Sequence, residues 1–145
     1  MSLQIFIGPM YAGKTTKLMH MFHNDKNKNK IIIDYEIYDT SNNITIGELE
    51  NHKEVTISNV IKTKKLNNIL NESYYNDDDF IYYQKMNKAQ NIYINECQFF
   101  PDLKECVIIW LKQNKNIFIY GLDGDYKAEL FGQTSSLIPY CSYIE

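Results

Sequence analysis

The octapeptide Gly8-Pro9-Met10-Tyr11-Ala12-Gly13-Lys14-Thr15 fits the pattern G-x-x-x-x-G-K-[ST] and constrains this chain more than any other feature. Its glycines let the backbone turn tightly, so that successive N–H groups point into one concavity suited to phosphate oxygens. Lys14 then reaches the β- and γ-phosphates, and the Thr15 hydroxyl can ligate Mg2+. The flanks agree. Residues 3–7 are an apolar run that reads as a buried strand, and Leu18, Met19, Met21 and Phe22 give residues 14–23 a helical pattern. A helix starting near Lys14 adds its N-terminal dipole to the same anion site. The expected ligand is ATP with Mg2+.

The rest of the chain continues the strand–helix alternation. Residues 31–33 begin a second strand directed toward Tyr38, and residues 39–43 form a turn cluster. Residues 44–61 are strand-like but interrupted, which suits a hairpin or a mobile loop. Residues 64–70 start a short helix. Residues 71–79, with Asp77, Asp78 and Asp79, read as a solvated acidic loop rather than a metal site. Residues 92–94 make a third strand, 103–113 a helix and 117–120 a fourth strand that runs into glycine. Alternation of this kind implies βαβ units. The expected fold is therefore α/β: a P-loop NTPase of the RecA-like type, with a mainly parallel sheet flanked by helices. A length of 145 residues suits one domain over 1–145.

Composition excludes several classes. The net charge is −3 and all fifteen basic residues are lysine, so no broad basic stripe for duplex nucleic acid is present. Any role needing a bidentate guanidinium falls to lysine, to another chain, or to nothing. The lysine-rich stretch 24–30 reads as a solvated connection. Cys97, Cys106 and Cys141 form no C-x-x-C pair, which argues against a zinc site or a disulfide framework. No apolar run approaches the roughly 20 residues of a membrane span, and the N-terminus lacks the sections of a signal peptide. The expected location is cytoplasmic.

The loop specifies a nucleotide but not a reaction. A second motif, Asn95-Glu96-Cys97-Gln98-Phe99-Phe100, follows the third strand. In P-loop folds an acidic strand end commonly lies near Mg2+ or the attacking nucleophile. Glu96 suits a carboxylate that takes a proton from a substrate hydroxyl, and on chemistry alone it equally suits a surface or helix N-terminal carboxylate.

Three segments together resemble the cellular-type (type II) thymidine kinases: GPMYAGKTT at 8–16, NECQFFPDL at 95–103 and GLDGDYKAELFGQ at 121–133, followed by Leu137-Ile138-Pro139. The match is weak over 44–89. The resemblance implies transfer of the ATP γ-phosphate to the 5′-hydroxyl of thymidine or deoxyuridine, with Glu96 as general base. It places Gly8 to Thr15, Asp39, Asn95 and Gln98 on the phosphate side, with Thr15 toward Mg2+. It places Met10, Tyr11, Phe99, Leu122, Tyr126 and Phe131 around the nucleoside; read without it, each of these would be ordinary core. Family likeness also implies a homotetramer.

The chain departs from the family pattern in places. Asn95 stands where a carboxylate is usual, and Ser41 replaces the arginine of the D-x-R element that begins at Asp39. Glu129 lies in a segment that is usually more basic. The sequence ends at Glu145, shortly before the family's first zinc-binding C-x-x-C would begin. Whether a fragment, a reduced natural form or a decayed relative, a chain that departs from the family in this way is expected to hold no zinc, to lack the base-gripping lasso, and to bind thymidine weakly and with poor selectivity. Beside a kinase, the residues leave open an ATP-binding paralogue without kinase activity. A motor-type NTPase is disfavoured by GLDGDY and NECQFF.

Overall fold

Side chains alternate between the two faces of a strand, and the apolar runs of this chain place bulky groups on both. That pattern belongs to parallel strands covered on each side. The computed structural model describes residues 2–8, 14–35, 43–47, 54–58, 60–70, 77–122 and 133–144, with backbone alone at 43–47, 54–58, 77–80 and 122. Its elements are β1 (Ser2–Gly8), α1 (Lys14–Asn24), β2 (Lys30–Tyr35), β3 (Asn43–Gly47), β4 (Glu54–Ser58), β5 (Ile61–Thr63), α2 (Asp77–Lys88), β6 (Asn91–Ile94), α3 (Leu103–Lys112), β7 (Asn116–Leu122) and β8 (Tyr143–Ile144). Short 3-10 turns span Leu66–Ile69, Cys97–Phe99 and Ile138–Tyr140.

Six strands form one sheet in the order β5-β2-β6-β7-β1-β8, with every pairing parallel. This is the expected α/β, P-loop NTPase architecture. β3 and β4 pair antiparallel as a separate hairpin, so the hairpin reading of the 44–61 stretch holds, and Ile61 itself opens β5.

The sheet divides the core in two. Ile5, Ile33, Ile94 and Ile119 face Leu103, Val107 and Trp110 of α3 and Met86 of α2. On the opposite side Phe6, Ile32, Tyr93 and Tyr120 meet Leu18 and Met19 of α1. That second layer is held by aromatic cross-strand pairs: Phe6 stacks on Tyr120 at 4.7 Å between centroids, and Tyr93 on Phe118 at 4.5 Å. Such pairs add about 0.5–1.5 kcal/mol beyond the area they bury.

Three expectations need correction. Asp77, Asp78 and Asp79 do not form a loop; they are the first turn of α2. Carboxylates are favoured there by the helix dipole, and Tyr82, Met86 and Ala89, buried at helical spacing, hold the helix to the core. The stretch 24–30 is only partly solvated. Asn24, Lys26, Lys28 and Asn29 are exposed. Lys30, however, donates through Nζ to the Phe22 and Asp25 carbonyls at 2.6 and 2.7 Å and so closes the end of α1. The segment expected as a short helix at 64–70 is a 3-10 turn. The Asp102 carboxylate accepts from the Leu66 and Asn67 amides there, at 3.1 and 2.8 Å.

Asp25 ties the same loop to β6. Its carboxylate accepts from Asn91 Nδ2 at 2.8 Å and from the Tyr93 hydroxyl at 2.7 Å. Burial raises this carboxyl, but the Asn91, Asn27 and Tyr93 donors outweigh that effect and hold it below its ordinary 3.8. Asp25→Ala leaves Asn91 and the buried Tyr93 hydroxyl without this acceptor. The expected loss, measured by urea unfolding, is about 1–3 kcal/mol. The contribution of a depressed carboxylate is complete above its unfolded value and vanishes as pH falls through the folded one. The difference between variant and wild type therefore narrows in acid, to what the protonated carboxyl still contributes as an acceptor for Asn91 and Tyr93.

Among the described residues no helix is long and apolar enough to cross a membrane.

Candidate active site

Parallel strands deliver their carboxyl ends to one edge, where open α/β sheets place their ligands. Here that edge carries Gly8 of β1, Tyr35 of β2, Ile94 of β6 and Leu122 of β7. Gly8 is buried, and Lys14 and Thr15 open α1 in half-buried positions. Pro9, Met10, Tyr11, Ala12 and Gly13 lie outside the described residues, as do Asp39, Tyr126 and Phe131.

One strand, β7, stands between β1 and β6. Even so, the two motifs meet across it. The Thr15 hydroxyl donates to Asn95 Oδ1 at 3.5 Å, although 80 residues separate them. Asn95 is buried, and its backbone N–H continues the ladder to the Ile33 carbonyl at 2.8 Å. Its Nδ2 donates to Asp34 Oδ1 at 3.2 Å. Lys62 Nζ closes the row on Asp34 Oδ2 at 2.7 Å. A polar line therefore runs from the start of α1 through β6 and β2 to β5.

Asp34 and Lys62 were not anticipated as site residues. The signal for Asp34 was present: it ends the apolar run Ile31-Ile32-Ile33, as Asn95 and then Glu96 follow Ile92-Tyr93-Ile94. Nothing in the sequence separates Lys62 from the other lysines until the register sets it opposite Asp34.

Glu96 follows β6 with φ 54° and ψ 43°, a left-handed conformation for a residue with a side chain. It costs about 1–2 kcal/mol, and Glu96 and Asn114 are the two such non-glycine residues among those described. The reversal turns the chain into the Cys97–Phe99 turn and brings Gln98 back, whose Nε2 donates to Glu96 Oε2 at 2.8 Å. Burial pushes the Glu96 carboxyl above its ordinary 4.5, the Gln98 donor opposes this, and the negative charge of Asp34 adds to it. A carboxyl raised in this way is a stronger proton acceptor than an ordinary carboxylate.

Phe99 is half-buried and lies 5.3 Å from the Tyr35 ring, tilted by 34°. Phe100 is fully buried and meets Tyr35 edge-on at 5.3 Å. Phe99 alone of the pair thus keeps part of its ring outside the core. The Cys97 thiol is buried and pushed up to about 12, which removes it as a nucleophile.

The turn that carries Glu96 and Gln98 rests on Gly121 of β7. A Cβ at that position would lie 2.6 Å from Cys97 Sγ and would collide with Gln98 Oε1. Gly121→Ala must displace the turn. The expected result is a loss of about 1–3 kcal/mol by urea unfolding, accompanied by weakened activity because the Gln98–Glu96 contact moves with it.

Mg2+ favours hard oxygen donors, takes one or two from the protein, and completes its shell with phosphates and water. The Thr15 hydroxyl and the Asn95 carbonyl oxygen, 3.5 Å apart at the head of α1, fit that demand. Among the described residues no group of three or more His, Cys, Asp or Glu gathers as a self-sufficient metal site.

The thymidine kinase family model matches residues 1–145. The chain is 31% identical over 143 residues to the thymidine kinase of Amsacta moorei entomopoxvirus, covering 96% of this chain and 71% of that protein. It is 33% identical over 146 residues to the thymidine kinase of Choristoneura fumiferana entomopoxvirus, covering 96% and 70%. It is 24% identical over 148 residues to that of African swine fever virus, isolate Tick/Malawi/Lil 20-1/1983, covering 99% and 69%. With the phosphate loop, the acid-bearing strand end and the parallel sheet that joins them, this places the chain in the thymidine kinase family.

Proposed function

We propose that this protein transfers the γ-phosphoryl group of ATP to the 5′-hydroxyl of a pyrimidine deoxynucleoside, thymidine or deoxyuridine. The observation that carries the reading is the Thr15–Asn95 contact. It joins the phosphate loop to the strand end bearing Glu96.

In this reading the backbone of Gly8 to Thr15 holds the triphosphate, and Lys14 neutralises its β- and γ-oxygens. Asp39 and Gln98 support the same side. Thr15 and Asn95 would hold Mg2+, which when bound supplies charge neutralisation between the β- and γ-phosphates. Glu96 accepts the 5′-hydroxyl proton as the new oxygen–phosphorus bond forms. The bond from the γ-phosphorus to the bridging oxygen breaks, and ADP carries that electron pair away. Met10, Tyr11, Phe99, Leu122, Tyr126 and Phe131 enclose the nucleoside, because a planar base favours apolar and aromatic walls. Catalysis of this kind rests on positioning and electrostatics more than on covalent chemistry. We place the protein in the cytoplasm, as one domain over 1–145, in homo-oligomers.

One observation favours a second reading. Asn95 brings an amide and no charge to the metal side, as suits an ATP-binding paralogue with little transfer activity. The test is incubation with γ-labelled ATP and Mg2+, with and without thymidine. Label recovered in thymidine monophosphate is the expected result. ATP binding without transfer favours the paralogue. Release of labelled phosphate independent of nucleoside would refute both in favour of an NTPase.

A further inference from the structure

We propose that Asp34 is a positioning residue for the metal side of this site. It holds the Asn95 amide with its carbonyl oxygen toward Thr15. The inference rests on the reading that Thr15 and Asn95 face Mg2+.

An asparagine side chain has two unlike ends, and its orientation follows from its partners. Here one partner is an acceptor only. Asp34 Oδ1 lies 3.2 Å from Asn95 Nδ2 and also takes the Tyr35 backbone N–H at 3.0 Å. Turning the amide over would set its carbonyl oxygen against a carboxylate oxygen and its NH2 group against the Thr15 hydroxyl. Asp34 therefore selects the orientation in which an oxygen, the donor a hard cation needs, faces α1. A second contact holds Asp34 in turn. Lys62 occupies Oδ2 at 2.7 Å, leaving Oδ1 for Asn95. Register sets the row: Asp34 is paired with Lys62, and Ile33 with Ile94, so the residue after Ile94 falls beside Asp34.

Stability does not account for the ion pair. The two side chains are 8% and 13% exposed, and a buried pair is often matched or bettered by apolar residues of similar volume. The neighbouring positions on this face of the sheet, Ile32 and Val60, are apolar and buried. Lys30 and Asp25 border this face at its other end, beside Phe22 and Tyr93, while Asp34 and Lys62 are the charged pair at its carboxyl end, next to Asn95. Outer partners that orient a ligating group commonly change metal affinity or activity by about 10–100-fold when lost.

The experiment measures ATP affinity by calorimetry with Mg2+ and again in EDTA, and takes the ratio as the metal's enhancement. Asp34→Asn is expected to reduce that ratio about ten-fold or more while leaving the EDTA affinity unchanged. The exchange variant Asp34→Asn/Asn95→Asp restores one carboxylate and one amide and is expected to recover the ratio. Both variants lose the ion pair with Lys62, so both melt lower to a similar extent. Stability falls together while the metal ratio separates, which a purely structural role does not produce. Full enhancement in Asp34→Asn, or a folded exchange variant that fails to recover it, overturns the proposal. Asn95→Ala keeps the Asp34–Lys62 pair and provides an arm that does not depend on Asp34 variants folding; it too must lose the ratio, and a wild-type ratio there refutes the idea. Absence of any ATP binding in the wild type would sink the functional reading and this one with it. Normal Mg2+-enhanced binding in Asp34→Asn sinks this one alone.

Discussion

Glu96→Gln is expected to lower phosphoryl transfer about 10²–10⁴-fold, the range that a positioned general base supplies, with ATP affinity unchanged. Glutamine keeps the size of the side chain, and its carbonyl oxygen can still accept from Gln98, so the turn retains its contact. What disappears is the proton acceptor. Wild-type activity should rise with pH through a value above the ordinary 4.5, because burial raises this carboxyl. Linkage predicts an opposite effect on stability. A carboxyl whose folded value is raised costs the native state nothing below its unfolded value and progressively more as pH climbs through the folded one. The glutamine variant should therefore melt higher than wild type at neutral pH, with the gap closing below about 4.5. Undiminished transfer by the variant would remove Glu96 from the reaction.

Lys14→Ala is expected to weaken ATP binding about ten- to a hundred-fold, the worth of a charge-assisted contact to phosphate in a partly desolvated site. Lys14 is the first residue of α1 and is half-buried. Alanine is the strongest helix former, so α1 should persist and the far-UV circular dichroism should not change. Calorimetry with Mg2+ present measures the affinity. An unaltered value would mean that the phosphates lie elsewhere.

The legible parts of the fold were those with one dominant local signal. Short, mostly apolar runs announced β1, β2, β6 and β7, and the amphipathic pattern announced α1 and α3. α2 was obscured because its opening aspartates carry the same composition as a loop; only their position ahead of Tyr82, Met86 and Ala89 makes them a helix start. β8 has two residues, Tyr143 and Ile144, and is a strand because β1 offers an edge beside it. The site divides in the same way. Lys14, Thr15, Asn95 and Glu96 were visible as motif and strand-end chemistry. Asp34 and Lys62 become partners through sheet order and register, and a single chain carries no local mark of which strand will lie beside which.

The sheet order has a consequence for how the chain acquires its structure. β1 pairs with β7 and β8, the last two of the described strands, so the strand that leads into the phosphate loop gains these sheet neighbours only after residues 116–122 have been made. β2, β5 and β6 can associate earlier, since their partners lie within shorter stretches. Contacts at large sequence separation form slowly because the intervening loop must first be closed. During synthesis on the ribosome β1 emerges first and waits longest, exposing Leu3, Ile5 and Phe6, which are buried in the finished protein. Closure of the sheet and creation of the nucleotide pocket are then a single late event, and a nascent chain interrupted before β7 holds the nucleotide motif without a surface to mount it on.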